Sequence, residues 1–130
     1  MMRRVEHFTD LEVWRKAHSL FVEIYTTLEK SSSKPGSKVL LNQIIRSSGS
    51  IGANISEGCL ATSAREYIRY LNIAKRTTAE TENWLYKLRD VGLIDGRPCG
   101  GFVKRCIEIQ KMLSGLVKSL KRYEENKLTP

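Results

Sequence analysis

The stretch Gln43-Ile44-Ile45-Arg46-Ser47-Ser48-Gly49-Ser50-Ile51-Gly52-Ala53-Asn54-Ile55-Ser56-Glu57-Gly58 repeats with the period of an α-helix but is filled with serine and glycine. At about 100° per residue, Leu41, Ile44, Ser48, Ile51 and Ile55 share one stripe, and Gln43, Arg46, Ser50, Asn54 and Glu57 fall on the opposite side. Gly49, Gly52, Ala53 and Ser56 make a third ledge of small side chains. Glycine inside a helix costs about 0.5–1 kcal/mol relative to alanine, so two of them predict a ledge kept low for close approach by a neighbour. The helix is therefore expected to be contacted on more than one side. Gly58 suits its C′ position.

The helical period continues on both sides of this stretch. Thr9-Asp10-Leu11-Glu12 reads as a capping box, with Phe8 stapled to Val13. It opens a helix over 9–30 whose inward stripe is Leu11, Trp14, His18, Phe21, Tyr25 and Leu28. Turn formers and Pro35 interrupt the pattern at 31–36, and the second helix occupies 37–57. Ser63-Ala64-Arg65-Glu66 is a second capping box and starts a helix over 63–91 with the stripe Tyr67, Leu71, Ala74, Thr78, Thr81, Leu85 and Leu88. A turn-rich segment from Gly92 to Gly101 precedes a fourth helix over 101–125, carrying Phe102, Cys106, Ile109, Leu113, Leu116, Leu120 and Tyr123. Residues 126–130 are expected to fray.

Four amphipathic helices with short connections predict one all-α domain over residues 1–130, an up-down-up-down antiparallel four-helix bundle with left-handed packing. No segment reads as a strand. Val13, Leu20, Ile24, Ile68, Ile73, Trp84, Val103, Ile107, Met112 and Val117 lie outside the inward stripes, an excess that predicts a second buried surface between subunits.

Composition narrows the class. No apolar run approaches the ~18–20 residues of a membrane span, and Met1-Met2-Arg3-Arg4-Val5-Glu6-His7 leads into no apolar region, so a cytoplasmic protein without membrane attachment is expected. Cys59, Cys99 and Cys106 lack paired metal-ligand spacing, which points to reduced thiols and no metal or cofactor, with Cys106 a small core residue. The 22 Lys and Arg against 14 Asp and Glu leave a net charge of +8, a balance that favours polyanionic partners.

The cations are arranged in lines. Lys104, Lys111, Lys118 and Arg122 recur at spacings of seven, seven and four on the fourth helix, with Lys121 beside them. Arg65, Arg69 and Arg76 share a face of the third. These eight residues are the candidate nucleic-acid-binding set. No base-reading motif accompanies them, so contacts are expected mainly with phosphate, on RNA or DNA alike.

Trp14, Gly49, Gly52 and Trp84 are read as structural or interface residues, and Arg46, Asn54 and Glu57 as polar groups bonded between helices or subunits. Enzymatic use of Arg46, Asn54 and Glu57 with His18 finds no nucleophile–base pair, phosphate loop or metal motif to support it, and no catalytic residue is assigned. His18 is read as a hydrogen-bonded core histidine and His7 as solvated.

The chain resembles the four-helix-bundle family of proteins encoded in 23S ribosomal RNA intervening sequences, which includes the accessory variability determinant of diversity-generating retroelements. The resemblance rests on Phe8-Thr9-Asp10-Leu11-Glu12-Val13-Trp14 with Lys16-Ala17, on Gln43-Ile44-Ile45-Arg46 with Ser50-Ile51, and on Asn54-Ile55-Ser56-Glu57-Gly58. Glu66-Tyr67, Leu71, Ile73-Ala74 and Glu80 complete the set. It implies a bundle assembled as a ring-like homopentamer. For the retroelement branch it further implies a non-enzymatic accessory factor that binds nucleic acid and a reverse transcriptase. An oligomeric interaction scaffold without a nucleic-acid role is the alternative.

Overall fold

The computed structural model describes residues 7–31 and 33–128, so the expectations for the leader before His7 and for fraying at 129–130 fall outside the described residues, whereas residues 126–128, also expected to fray, continue the fourth helix. A 3-10 turn, Phe8–Asp10, precedes four helices: α1 Glu12–Glu29, α2 Ser37–Cys59, α3 Ala64–Asp90 and α4 Gly96–Leu128. Among the described residues there is no strand, and no helix is long and apolar enough to cross a membrane.

Cross-helix contacts fix the direction of each neighbour. Arg46 meets Glu80 while Gly58 meets Tyr67 and Tyr70, so α3 descends where α2 rises. Cys99 bonds the Leu85 carbonyl and Gln110 bonds Glu82, which runs α4 against α3. Lys16 pairs with Glu108 and Glu23 with Arg105, which closes α1 onto α4. Four helices thus pack antiparallel around one core. Contact is most extensive on both sides of α3 and thinnest between α1 and α4.

The inward stripes of α2 and α3 follow the predicted ones, Leu41, Ile44, Ser48, Ile51 and Ile55 facing Leu71, Ala74, Thr78, Thr81, Leu85 and Leu88, all buried, while Tyr67 at the start of the α3 stripe is half-buried. Buried hydroxyls need partners. The Thr81 hydroxyl lies 3.0 Å from Ser47 Oγ across the helix pair and 3.0 Å from the Thr77 carbonyl, while Ser48 and Thr78 donate back to the Ile44 and Ala74 carbonyls at 2.7 Å. Ser63 caps α3 by accepting from the Glu66 N–H at 3.1 Å.

Helix α1 is rotated from the expected stripe. Val13, Ala17, Leu20, Ile24 and Leu28 are buried, whereas Trp14 and Phe21 are half-buried and His18 and Tyr25 are exposed. Two stripes competed, and the purely aliphatic one took the core because it carries no polar atom to satisfy. The cap is displaced too. His7, not Thr9, accepts at the N-terminus of the 3-10 turn, and Asp10 returns a bond to the His7 N–H at 3.2 Å. Phe8 packs on Trp14 instead of Val13, with ring centroids 5.3 Å apart.

Two boundaries also moved. Helix α2 passes through Gly58 to Cys59. The left-handed glycine that closes a helix is Gly92, at φ 81°, after which the Leu93 N–H returns to the Leu88 carbonyl at 2.8 Å. Helix α4 begins at Gly96, earlier than the expected 101, because buried Cys99 anchors its first turn. Pro98 is tolerated there, since the first N–H groups of a helix have no intrahelical acceptor.

The apolar excess is smaller than expected. Val13, Leu20, Ile24 and Val117 belong to this bundle's own core, Val117 replacing the half-buried Leu116, and Ile107 is 40 % exposed.

Candidate nucleic-acid interface

On α4 the buried stripe Cys99, Phe102, Cys106, Ile109, Leu113, Val117 and Leu120 faces the core, which turns Lys104, Lys111, Lys118 and Arg122 to the opposite, exposed side. Lys121 is exposed at the flank of this line. On α3 the same geometry places Arg65, Arg69 and Arg76 outward, all exposed. The guanidinium of Arg69 lies over the Tyr70 ring, 4.6 Å from its centroid. Among the described residues, none of these eight cations forms a salt bridge within the chain.

Several acidic side chains pair with cations outside these lines. Glu108 pairs with Lys16 at 2.9 Å and Glu23 with Arg105 at 2.8 Å across the α1–α4 seam. The Ser19 hydroxyl, then Arg105, hold the Glu23 carboxyl below its ordinary range, and the bond to Glu108 raises the Lys16 ammonium. Glu80 accepts from Arg46 at 3.0 Å and from Trp84 Nε1 at 3.2 Å, so one carboxylate ties α2 to α3 and orients the half-buried indole.

A second surface lies between α1 and α2. Phe8, Trp14, His18 and Phe21 line one wall and Ser48, Gly49, Gly52, Ala53 and Ser56 form the floor of an open groove of about 400 Å³. A β-carbon on Gly49 would stand 3.3 Å from the Phe21 ring, and one on Gly52 would stand 3.4 Å from Trp14 Nε1. The small ledge admits aromatic side chains, not a second helix backbone. His18 stacks on Trp14 at 4.8 Å between centroids and is exposed, which corrects its expected place in the core. Assigning Trp14, His18 and Phe21 to the core hid this groove. The signal was present in the sequence as a histidine interrupting one of the two apolar stripes of α1.

The polar residues considered for catalysis are not brought to one point. Arg46 is bound to Glu80 and Gln43, the Asn54 amide donates to the Ser50 carbonyl at 2.8 Å and to its hydroxyl at 3.0 Å, and Glu57 is exposed. His18 lies in the α1–α2 groove. Asn54 thus bonds within its own helix and not between helices. Burial pushes the Cys106 thiol up to about 12, and Cys59 and Cys99 are shifted the same way, mainly by burial. The Tyr67 hydroxyl, half-buried and 3.6 Å from Cys59 Sγ, is raised as well, mainly by burial. Among the described residues no group of three or more His, Cys, Asp or Glu side chains is placed to hold a metal.

Comparison with known proteins agrees with the bundle. A solved structure from Bacteroides thetaiotaomicron VPI-5482, described as a protein with unknown function from the S23 ribosomal protein family, is 34% identical. The match covers 82% of this chain and 98% of that one, with a TM-score of 0.73. No curated protein matches the chain. The family model described as 23S rRNA-intervening sequence protein matches residues 9–115, from the 3-10 turn to Gly115 within α4, and the chain belongs to that family.

Proposed function

We propose that the protein is a cytosolic, non-enzymatic, oligomeric nucleic-acid-binding protein that grips phosphate through the outward lines of α3 and α4. The observation that carries this reading is the set of exposed cations Lys104, Lys111, Lys118, Lys121 and Arg122, with Arg65, Arg69 and Arg76 on the neighbouring helix, none in a salt bridge among the described residues. Each phosphate contact releases condensed counterions, so affinity falls steeply with salt. Copies assembled as a ring, the homopentamer implied by the family resemblance, repeat both lines and multiply weak contacts through effective concentration. For the retroelement branch of the family, the same resemblance implies an accessory role beside a reverse transcriptase.

One observation favours a second reading, an oligomeric protein-interaction scaffold. The aromatic-walled groove between α1 and α2 is left open by its own chain. Light scattering after size-exclusion chromatography, with and without a labelled structured RNA at low and moderate salt, separates the two. An oligomer that binds RNA with steep salt dependence supports the first; an oligomer indifferent to RNA moves the weight to the second.

A further inference from the structure

Gly115 has no structural reason to be glycine. It lies inside α4, is exposed, has no positive φ, and a β-carbon added there would meet nothing within 4 Å. Gly49 and Gly58, by contrast, each lie under an aromatic ring. Glycine weakens a helix interior relative to alanine, so the fold alone favours alanine or another helix former here. Its place is informative: Lys111, Gly115, Lys118 and Arg122 fall on one stripe at spacings of four, three and four. From Gln110 to Tyr123 the sequence contains no acidic residue. A low point therefore sits within about 16 Å of rigid, purely cationic helix.

The aromatic side chains that could stack on unpaired bases lie off this stripe, and most of them contact neighbours within the chain. Trp14 stacks on His18, Trp84 bonds Glu80, Tyr70 lies under Arg69 and Tyr86 under Arg89. Tyr123 is half exposed, but it lies off the stripe, at the α2–α3 connection end of the bundle with Arg65 and Lys127. Single strands are held by stacking as well as charge, and this line supplies only charge. The narrow minor groove of B-form DNA would exclude a helix, and its major groove is read through base edges, for which this line carries no suitable side chains. A-form RNA instead presents a wide, shallow minor groove edged by phosphates and 2′-hydroxyls. Ser119, exposed beside Gly115, is suited to the latter.

We propose that α4 lies across the minor groove of double-stranded RNA, with Gly115 at the point of closest backbone approach and Lys111, Lys118 and Arg122 on the flanking phosphates. This rests on the nucleic-acid reading above and specifies its ligand.

The test measures binding of a labelled 20-base-pair RNA duplex, the matching single strand and a DNA duplex of the same sequence to the full chain and to Gly115→Leu, with thermal unfolding of both proteins. The RNA duplex is expected to bind most tightly. Gly115→Leu is expected to unfold no earlier than the wild type yet to bind the duplex about tenfold more weakly. Undiminished binding by Gly115→Leu, or equal binding of the single strand or the DNA duplex, overturns this seat while leaving phosphate binding intact. Failure of the wild type to bind any of the three overturns both.

Discussion

Gly58 lies directly beneath the ring of Tyr67: a β-carbon at residue 58 would stand 2.8 Å from Tyr67 Cδ1 and 3.2 Å from Tyr70 Cβ. The glycine is therefore a packing device inside α2, allowing α3 to leave the short connection and fold back at close range. Alanine forces the first turn of α3 outward, and overpacking of this kind costs about 1–3 kcal/mol. Gly58→Ala should lower the urea midpoint with little change in slope. Tyr67→Ala made in the same chain should recover part of the loss.

Thr81 and Ser47 bond at the centre of the α2–α3 interface, where both are fully buried. Thr81→Val should cost about 1 kcal/mol by removing a buried hydrogen bond and leaving the Ser47 hydroxyl with only the Ile44 carbonyl. Ser47→Ala in addition should cost less than the sum of the single changes. Strict additivity in urea denaturation would show that the two hydroxyls are not coupled.

The sequence readings that held are those in which one stripe had no rival. In α2 and α3 the periodicity, the buried Ser48, Thr78 and Thr81 and the Ser63 half of the capping box appear as expected, whereas buried Ser47 lay on no predicted stripe. In α1 two apolar stripes ran side by side, and periodicity alone does not rank them; satisfaction of polar atoms does, which places Val13 and Leu20 inside and leaves His18 outside. The C′ reading of Gly58 failed because a glycine needed for close approach and one needed for a left-handed turn are the same letter. Gly96 to Gly101 looked like a turn because local composition outweighed one buried cysteine, Cys99. The basic lines were legible because exposed charge needs only helical spacing. The aromatic groove was not, because it depends on which face of α1 wins.

Gly52→Leu tests that groove. Its side chain would displace the Trp14 indole, which stands 3.4 Å from the position of a β-carbon. If copies of the chain use this surface, the variant should keep its helical circular dichroism while losing assembled mass by light scattering. A fully assembled Gly52→Leu protein would exclude the groove as an interface.

Cys106 gives the bundle an alkaline limit. Its thiol is raised by burial from the ordinary value near 9 to about 12. A folded value above the unfolded one means stability is fully present below about 9 and declines as pH rises toward about 12, because only the unfolded chain ionises there. Relative to the wild type, Cys106→Ala should become less destabilised across that interval, by up to about 1.4 kcal/mol per pH unit. A constant difference would show that Cys106 does not set this limit. At neutral pH, thiol reagents should label Cys106 only after unfolding.

The most direct test of phosphate binding is the salt dependence of structured-RNA affinity for the wild type and for the double variant Lys111→Gln, Lys118→Gln. Both lysines are exposed on the outward face of α4 and make no salt bridge among the described residues, so the fold should be unaffected. Loss of two phosphate contacts per bound chain should weaken binding at low salt and flatten the plot of log affinity against log salt by about two units. An unchanged affinity with an identical slope would contradict the assignment of this line to nucleic acid.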